Sequence, residues 1–345
     1  MMLQEFVAGM PQWAQTLIHT GYMAVQSFFI LSGFVLARSY AGAVWSRPAI
    51  VNYIVARFAR IYPVYLFSLV VVSPFIIDAM IRPTRTLAVK VGLLVNYGLV
   101  LQGWKGNLGV GWNTPAWSLT CEFFFYAFFP FLLSWLSKAG KITITLVLLV
   151  TVVTPVLLAH AEVPWHWKPL YHFSDFVAGI AASRLYDFGK SKLKGRGAWL
   201  YLPATVAGIA LVIHPQAMDG TYGDLNTGLR PLNVIAILGF AFGGGSLARW
   251  LSGTIAEFLG KASYSLYILH VPVLWWYSKW ALRRPMPVPR LAAAGLYVIL
   301  VIAVAALAFQ YIEMPANGWL RRKGKRRAAK SNAKPQRPDV PCAGI

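Results

Sequence analysis

This sequence is short of charge. Asp, Glu, Lys and Arg make up 12% of its 345 residues, where soluble domains carry roughly 25%. Acids are scarcest of all, 11 against 32 basic residues. Cysteine is nearly absent: Cys121 lies in an apolar segment and Cys342 in a polar tail, so no disulfide framework is expected. Residues 1–20 contain Glu5 and Pro11 and no basic start, so no cleavable signal peptide is expected in them. There is no phosphate-binding glycine loop, because "GFAFGGGS" (239–246) sits inside an apolar run and reads as close helix packing. His160, His166 and His172 are near one another but not at zinc-ligand spacing, so no metal is expected.

Apolar sequence is abundant, at 57%, together with 14 Trp and 16 Tyr, enough for aromatic belts at two membrane interfaces. The fold class expected is all-α, a polytopic transmembrane bundle in a lipid bilayer. The net charge of +21 does not point to nucleic acid, since the basic residues fall between apolar stretches and in a C-terminal run. Candidate spans are 22–37, 61–81, 87–103, 116–136, 142–159, 171–186, 198–213, 231–250, 263–281 and 291–312. The basic segments 38–60 and 184–196 and the tail should share the cytoplasmic side, and ten crossings cannot achieve that. One candidate must fail to cross. Residues 87–103, short and interrupted by Lys90 and Asn96, are expected to be re-entrant or surface-lying, which leaves about nine crossings. Two parts follow: a membrane domain over 1–320 and a basic, disordered cytoplasmic tail over 321–345.

Five stretches then line up in order: "GYMAVQSFFILSGFVLAR" (21–38), "YIVARFARIYPVYLFSL" (53–69), "NTPAWSLTCEFFFYAFFP" (113–130), "GKASYSLYILHVPV" (260–273) and "YIEMP" (311–315). As an ordered set they resemble the acyltransferase-3 family of bacterial membrane acyltransferases. The resemblance implies a ten-helix bundle that passes an acyl group, usually acetyl from acyl-coenzyme A, to a hydroxyl of a cell-envelope or exported carbohydrate. Family members usually carry a preceding helix with an arginine and a catalytic histidine. His19, two residues before Gly21, does not match that histidine, so the first helix is expected to be missing. Two rival readings stand beside the enzyme: a truncated, inactive member, and a transporter of a sugar or small anion.

Particular residues carry the chemistry. Glu122 is an acid inside an apolar helix, where a charge costs at least ~2.5–3.5 kcal/mol; it is expected near the outer face as a catalytic carboxylate. Tyr126, one turn on, is placed to donate to it. His270 is the candidate general base. Arg57 and Arg60 are topology anchors and also a guanidinium clamp for coenzyme A phosphates, with Ser32 and Gly33 giving either a path for the pantetheine arm or close helix packing. Trp117 and Ser118 open the helix of Glu122 on the acceptor side, and His172 with Asp175 forms an acid–imidazole pair at i, i+3. Glu313 is expected to ion-pair with Arg57 or Arg60. Two outer loops rich in Trp, 103–117 and 160–172, supply a platform on which sugar rings could stack.

Overall fold

A computed structural model of the chain describes residues 12, 15–16, 20–81, 85–105, 111–164, 166–213, 222–283 and 290–319. The basic tail, Cys342, His19 and His214 lie outside them. Among the described residues there is no strand. The long helices are α1 (Ala24–Ser39), α2 (Arg47–Ile81), α3 (Leu87–Gly98), α4 (Trp117–Leu136), α5 (Lys141–His160), α6 (Lys168–Leu193), α7 (Ala198–Ile213), α8 (Tyr222–Phe242), α9 (Thr254–Arg283) and α10 (Arg290–Ala308). Stretches Arg47–Asp78, Thr114–Leu136, Lys141–His160 and Ala292–Trp319 are each long and apolar enough to cross a bilayer. Together the helices form a transmembrane bundle.

Helix α3 does not cross. Its 12 residues reach about 18 Å at 1.5 Å per residue, short of a ~30 Å hydrocarbon core. Its C-terminal end stops midway along α2, where Tyr62 Oη donates to the Gly98 carbonyl (2.8 Å) and Tyr65 Oη to the Tyr97 carbonyl (2.5 Å). There the chain turns back through Val100, held at a φ of 57°, a costly conformation for a β-branched residue. The Val100 carbonyl is fixed by Thr120 Oγ1 of α4 (2.7 Å). The segment is therefore re-entrant, and it delivers the start of α4 to the bundle interior. The buried Asn113, just before α4, donates to Ser68 Oγ of α2 (2.8 Å) and to the Ile268 carbonyl of α9 (3.1 Å).

With α3 excluded, the remaining nine long helices among the described residues alternate in direction. The loops at 40–46, 137–140, 194–197 and 243–253 gather at one end. Contacts between them confirm it: Arg38 pairs with Asp187 (2.7 Å), Arg184 Nε donates to the Ala139 carbonyl (3.3 Å), and Gly195 N donates to the Phe242 carbonyl (2.8 Å). Lys138, Lys141, Lys190, Lys192, Lys194, Arg196 and Arg249 crowd the same end, which we call the basic end. The core runs through α1, α2, α4, α6 and α9, with Phe29, Tyr65, Phe125, Phe129, Phe176 and Ile268 fully enclosed.

Candidate active site

Glu122 is 3% exposed and accepts a 2.7 Å hydrogen bond from Tyr126 Oη. The i, i+4 spacing of α4 puts both on one face, toward α2. The Tyr126 ring lies 6.3 Å from that of Tyr53, one turn before Arg57. The charges of Arg60 and Arg57 both act on Glu122. Measured along the helices at 1.5 Å per residue, Arg57 stands about 15 Å and Glu122 about 21 Å from the basic end. The expected separation of Glu122 toward the outer face is thus corrected. Because α4 starts at the tip of a re-entrant segment rather than at the membrane surface, its early residues are already deep, beside Arg57.

Around this carboxylate the bundle collects further polar groups. Tyr264 Oη donates to the Ile61 carbonyl (2.6 Å). Glu313, in the π-helical turn Phe309–Glu313 that follows α10, accepts from Ser265 Oγ (2.6 Å). The expected ion pair of Glu313 with an arginine is replaced by this hydroxyl contact, while Arg60 acts on it through space. On the basic-end side, Tyr40, Trp45, Tyr53 and Phe129 form an aromatic box with ring centroids 5.2–6.0 Å apart, and Arg57 sits over Tyr40 at 6.0 Å. Three buried groups there, Trp45 Nε1, Tyr53 Oη and Arg57 Nε, have no hydrogen-bond partner among the described residues. All three are donors, and a buried donor left unpaired costs roughly 1–3 kcal/mol. They are free to donate to acceptor oxygens of a bound group.

Gly33 takes no part in that box. A Cβ there would overlap the backbone carbonyl of Phe176 in α6, and one on Gly179 would overlap that of Ile30 in α1. Of the two readings open for Gly33, close helix packing is the one this contact supports. Ser32, half-buried beside it, lies on the same helix. Ser118 Oγ donates to the Pro115 carbonyl (3.0 Å) and so fixes the junction between the turn Thr114–Ala116 and α4.

A second polar group lies near the start of α4. His172 Nδ1 is 2.9 Å from Asp175 Oδ2, and Arg230 Nε of α8 is 2.5 Å from Asp175 Oδ1. Arg230 also donates through a terminal nitrogen to the Thr151 carbonyl of α5 (2.6 Å). Asp175 is fully buried and Arg230 is 2% exposed. The sequence showed the His172–Asp175 spacing but not Arg230, which reads as one more flanking charge; only the fold turns it inward. Removing one partner of a buried ion pair costs roughly 3–5 kcal/mol. Arg230→Met should therefore lower the thermal midpoint of the detergent-solubilised protein steeply, and an unchanged midpoint would show that the pair carries no such weight.

The His172 ring is walled by Trp117 and Phe29, each with its centroid 5.2 Å away, and Lys168 Nζ lies 5.5 Å from the Trp117 ring centre. His270 of α9 is half-buried, with Nδ1 2.5 Å from the Tyr267 carbonyl. Tyr267 Oη in turn holds the Pro115 carbonyl (3.1 Å), so both histidines flank the start of α4. Trp104 and Trp167 from the two Trp-rich loops meet at 6.4 Å on this side. Among the described residues no three His, Cys, Asp or Glu side chains gather closely enough to hold a metal ion.

A multi-pass helical bundle that holds Glu122, Arg57, Arg60 and a His172–Asp175 pair inside it has the make-up of an integral membrane enzyme. The acyltransferase-3 family model, described as an acyltransferase domain, matches residues 2–310, so the chain belongs to that family. It is 28% identical to "Acyltransferase MdmB" of Streptomyces mycarofaciens over 98% of this chain and 91% of that one. It is also 24% identical to "Peptidoglycan O-acetyltransferase OatA" of Listeria monocytogenes over 87% of this chain, which spans about half (52%) of that enzyme. No solved structure matches. The protein is an acyltransferase of groups other than aminoacyl groups.

Proposed function

We propose that the protein transfers an acyl group, acetyl in the simplest case, from acyl-coenzyme A to a hydroxyl of a cell-envelope or exported carbohydrate. The observation that carries this reading is the buried Glu122–Tyr126 pair set against Arg57 and Arg60, a costly arrangement for a membrane interior unless it is used. Its similarity to a peptidoglycan O-acetyltransferase supports a sugar hydroxyl as acceptor. Clustering of Lys and Arg at one end makes that end cytoplasmic under the positive-inside rule, with the C-terminus on the same side of a bacterial plasma membrane. Acyl-coenzyme A enters there. Arg57 and Arg60 hold its phosphates in guanidinium forks, and the unpaired donors of the aromatic box complete the grip.

The thioester end then lies near Glu122. The acceptor approaches from the Trp-rich side, past Trp117, and its hydroxyl proton goes to an imidazole near the start of α4. The test is kinetic. With acetyl-coenzyme A as donor, Arg57→Ala and Arg60→Ala should each raise the KM for donor about tenfold or more, the equivalent of one charge-assisted contact of ~1.5–3 kcal/mol. A donor KM unchanged in both variants would remove the phosphate clamp.

A further inference from the structure

We propose that the inner side of the re-entrant segment is a binding site for the acceptor, an uncharged group bearing hydroxyls, held by Asn96, Gln102, Trp112 and Asn113; the assignment rests on the hydroxyl-acylation reading above. All four side chains are 1–2% exposed. Five of their polar atoms have no hydrogen-bond partner among the described residues: both atoms of the Asn96 amide, Gln102 Oε1, Trp112 Nε1 and Asn113 Oδ1. A membrane interior has no bulk water to satisfy such groups, so each is costly unless it is used.

The five atoms belong to one network. Gln102 Nε2 donates to Tyr65 Oη (2.8 Å), which donates to the carbonyl of Tyr97, the residue after Asn96. Trp112 N donates to Tyr97 Oη (3.3 Å), and the rings of Tyr97 and Trp112 lie 4.7 Å apart. Asn113 reaches Ser68 Oγ, whose own bond goes to the Tyr65 carbonyl. At 1.5 Å per residue of α2, Tyr65 stands about 27 Å and Ser68 about 32 Å from the basic end, against about 21 Å for Glu122. The network therefore stands between Glu122 and the side where Trp104 and Trp167 meet.

The kind of unpaired atom points to the kind of ligand. In the aromatic box beside Arg57 all three are donors. Here three are acceptors and two are donors, and none belongs to a charged side chain. An anion would face three oxygens, and a cation would face two N–H groups. A hydroxyl both donates and accepts, so hydroxyls satisfy the whole set. Asn96 is the clearest member: its side chain makes no other bond, whereas Gln102 and Asn113 each use their amide nitrogen to hold the fold. The acceptor enters as the tip of the segment lifts. Helix α3 buries only Leu93, Asn96 and Tyr97. Its end is pinned by the tyrosine hydroxyls of α2 rather than by packing along its length, and Val100, at a φ of 57°, keeps the turn under strain.

The test uses the full chain in detergent, with [acetyl-14C]acetyl-coenzyme A as donor and chitotetraose as acceptor. Coenzyme A binding by equilibrium dialysis and the thermal midpoint are measured on the same preparations. Asn96→Leu keeps the volume and removes both unpaired amide atoms. It should lower kcat/KM for chitotetraose about tenfold or more, the equivalent of one to two uncharged hydrogen bonds, with donor KM and coenzyme A affinity unmoved. Its midpoint should match or exceed that of the wild type, because apolar atoms replace buried polar ones that the fold leaves unpaired. Trp112→Phe keeps a ring against Tyr97 and loses the indole N–H, and should lower the same ratio severalfold. Asn96→Leu with wild-type kcat/KM for chitotetraose would mean that its amide meets only water; it would overturn the site and leave the acyltransfer reading standing. A lowered midpoint would make Asn96 structural and overturn the site as well. A wild-type protein that binds coenzyme A yet acetylates no chitotetraose would overturn the carbohydrate-acceptor reading and the site with it.

Discussion

Replacing Glu122 with Ala should abolish acyl transfer. The carboxylate is deep in the bundle, beside two guanidinium groups that act on it, and a positioned acid–base or charge-bearing group contributes ~10²–10⁴ in rate. Two further variants separate chemistry from folding. Glu122→Gln keeps the volume and an acceptor oxygen for Tyr126 but removes the charge. It should retain the thermal midpoint and lose at least ~100-fold in kcat. Glu122→Ala should lose activity and also stability, by roughly 1–3 kcal/mol, because the Tyr126 hydroxyl would be left buried without its 2.7 Å partner. Tyr126→Phe should cost less than either in rate, since it spares the carboxylate. The measurement is initial velocity with acetyl-coenzyme A beside thermal unfolding on the same preparations. Wild-type turnover in Glu122→Gln would reduce the residue to a helix contact.

Much of this architecture was legible in the sequence, and the parts that were not share a cause. Charge placement showed that one of ten apolar stretches could not cross, because the positive-inside rule counts crossings without any geometry, and the shortness of 87–103 with its Lys90 and Asn96 picked that stretch out. The Glu122–Tyr126 bond followed from an i, i+4 spacing, and the His172–Asp175 bond from i, i+3. These contacts are local, so periodicity reveals them. The depth of Glu122 was not local. It depends on the re-entrant turn at Val100, whose carbonyl meets Thr120 only after the chain doubles back. Arg230 was missed for the same reason: its partners, Asp175 and the Thr151 carbonyl, come from α6 and α5. The role of Gly33 was open between a ligand path and packing, and only the position of Phe176 across the interface decides it.

That interface makes the largest prediction for folding. Helices α1 and α6 run in the same direction, and each offers a glycine to the other's backbone. A Cβ on Gly33 would overlap the Phe176 carbonyl and come within 3.2 Å of Ile180 N; one on Gly179 would overlap the Ile30 carbonyl and lie 2.9 Å from Phe34 N. Lipid gives helices no hydrophobic reason to associate, so close van der Waals packing at small residues must hold them. The atoms in the way are backbone, which cannot rotate aside as a side chain can. Overpacking of ordinary cores costs 1–3 kcal/mol, occasionally more, and Gly33→Ala or Gly179→Ala should reach or exceed the top of that range. The effect would travel, because parting α1 from α6 withdraws Phe29 from the His172 ring and strains the Arg38–Asp187 pair. Gly92→Ala is the contrast. Nothing lies within 4 Å of its added Cβ, and alanine in a helix is better than glycine by roughly 0.5–1 kcal/mol. Fluorescence-detected size exclusion after a temperature series should therefore show Gly92→Ala at or above the wild-type midpoint and both interface variants far below it. Equal midpoints for Gly33→Ala and Gly92→Ala would mean that α1 and α6 do not meet at these residues.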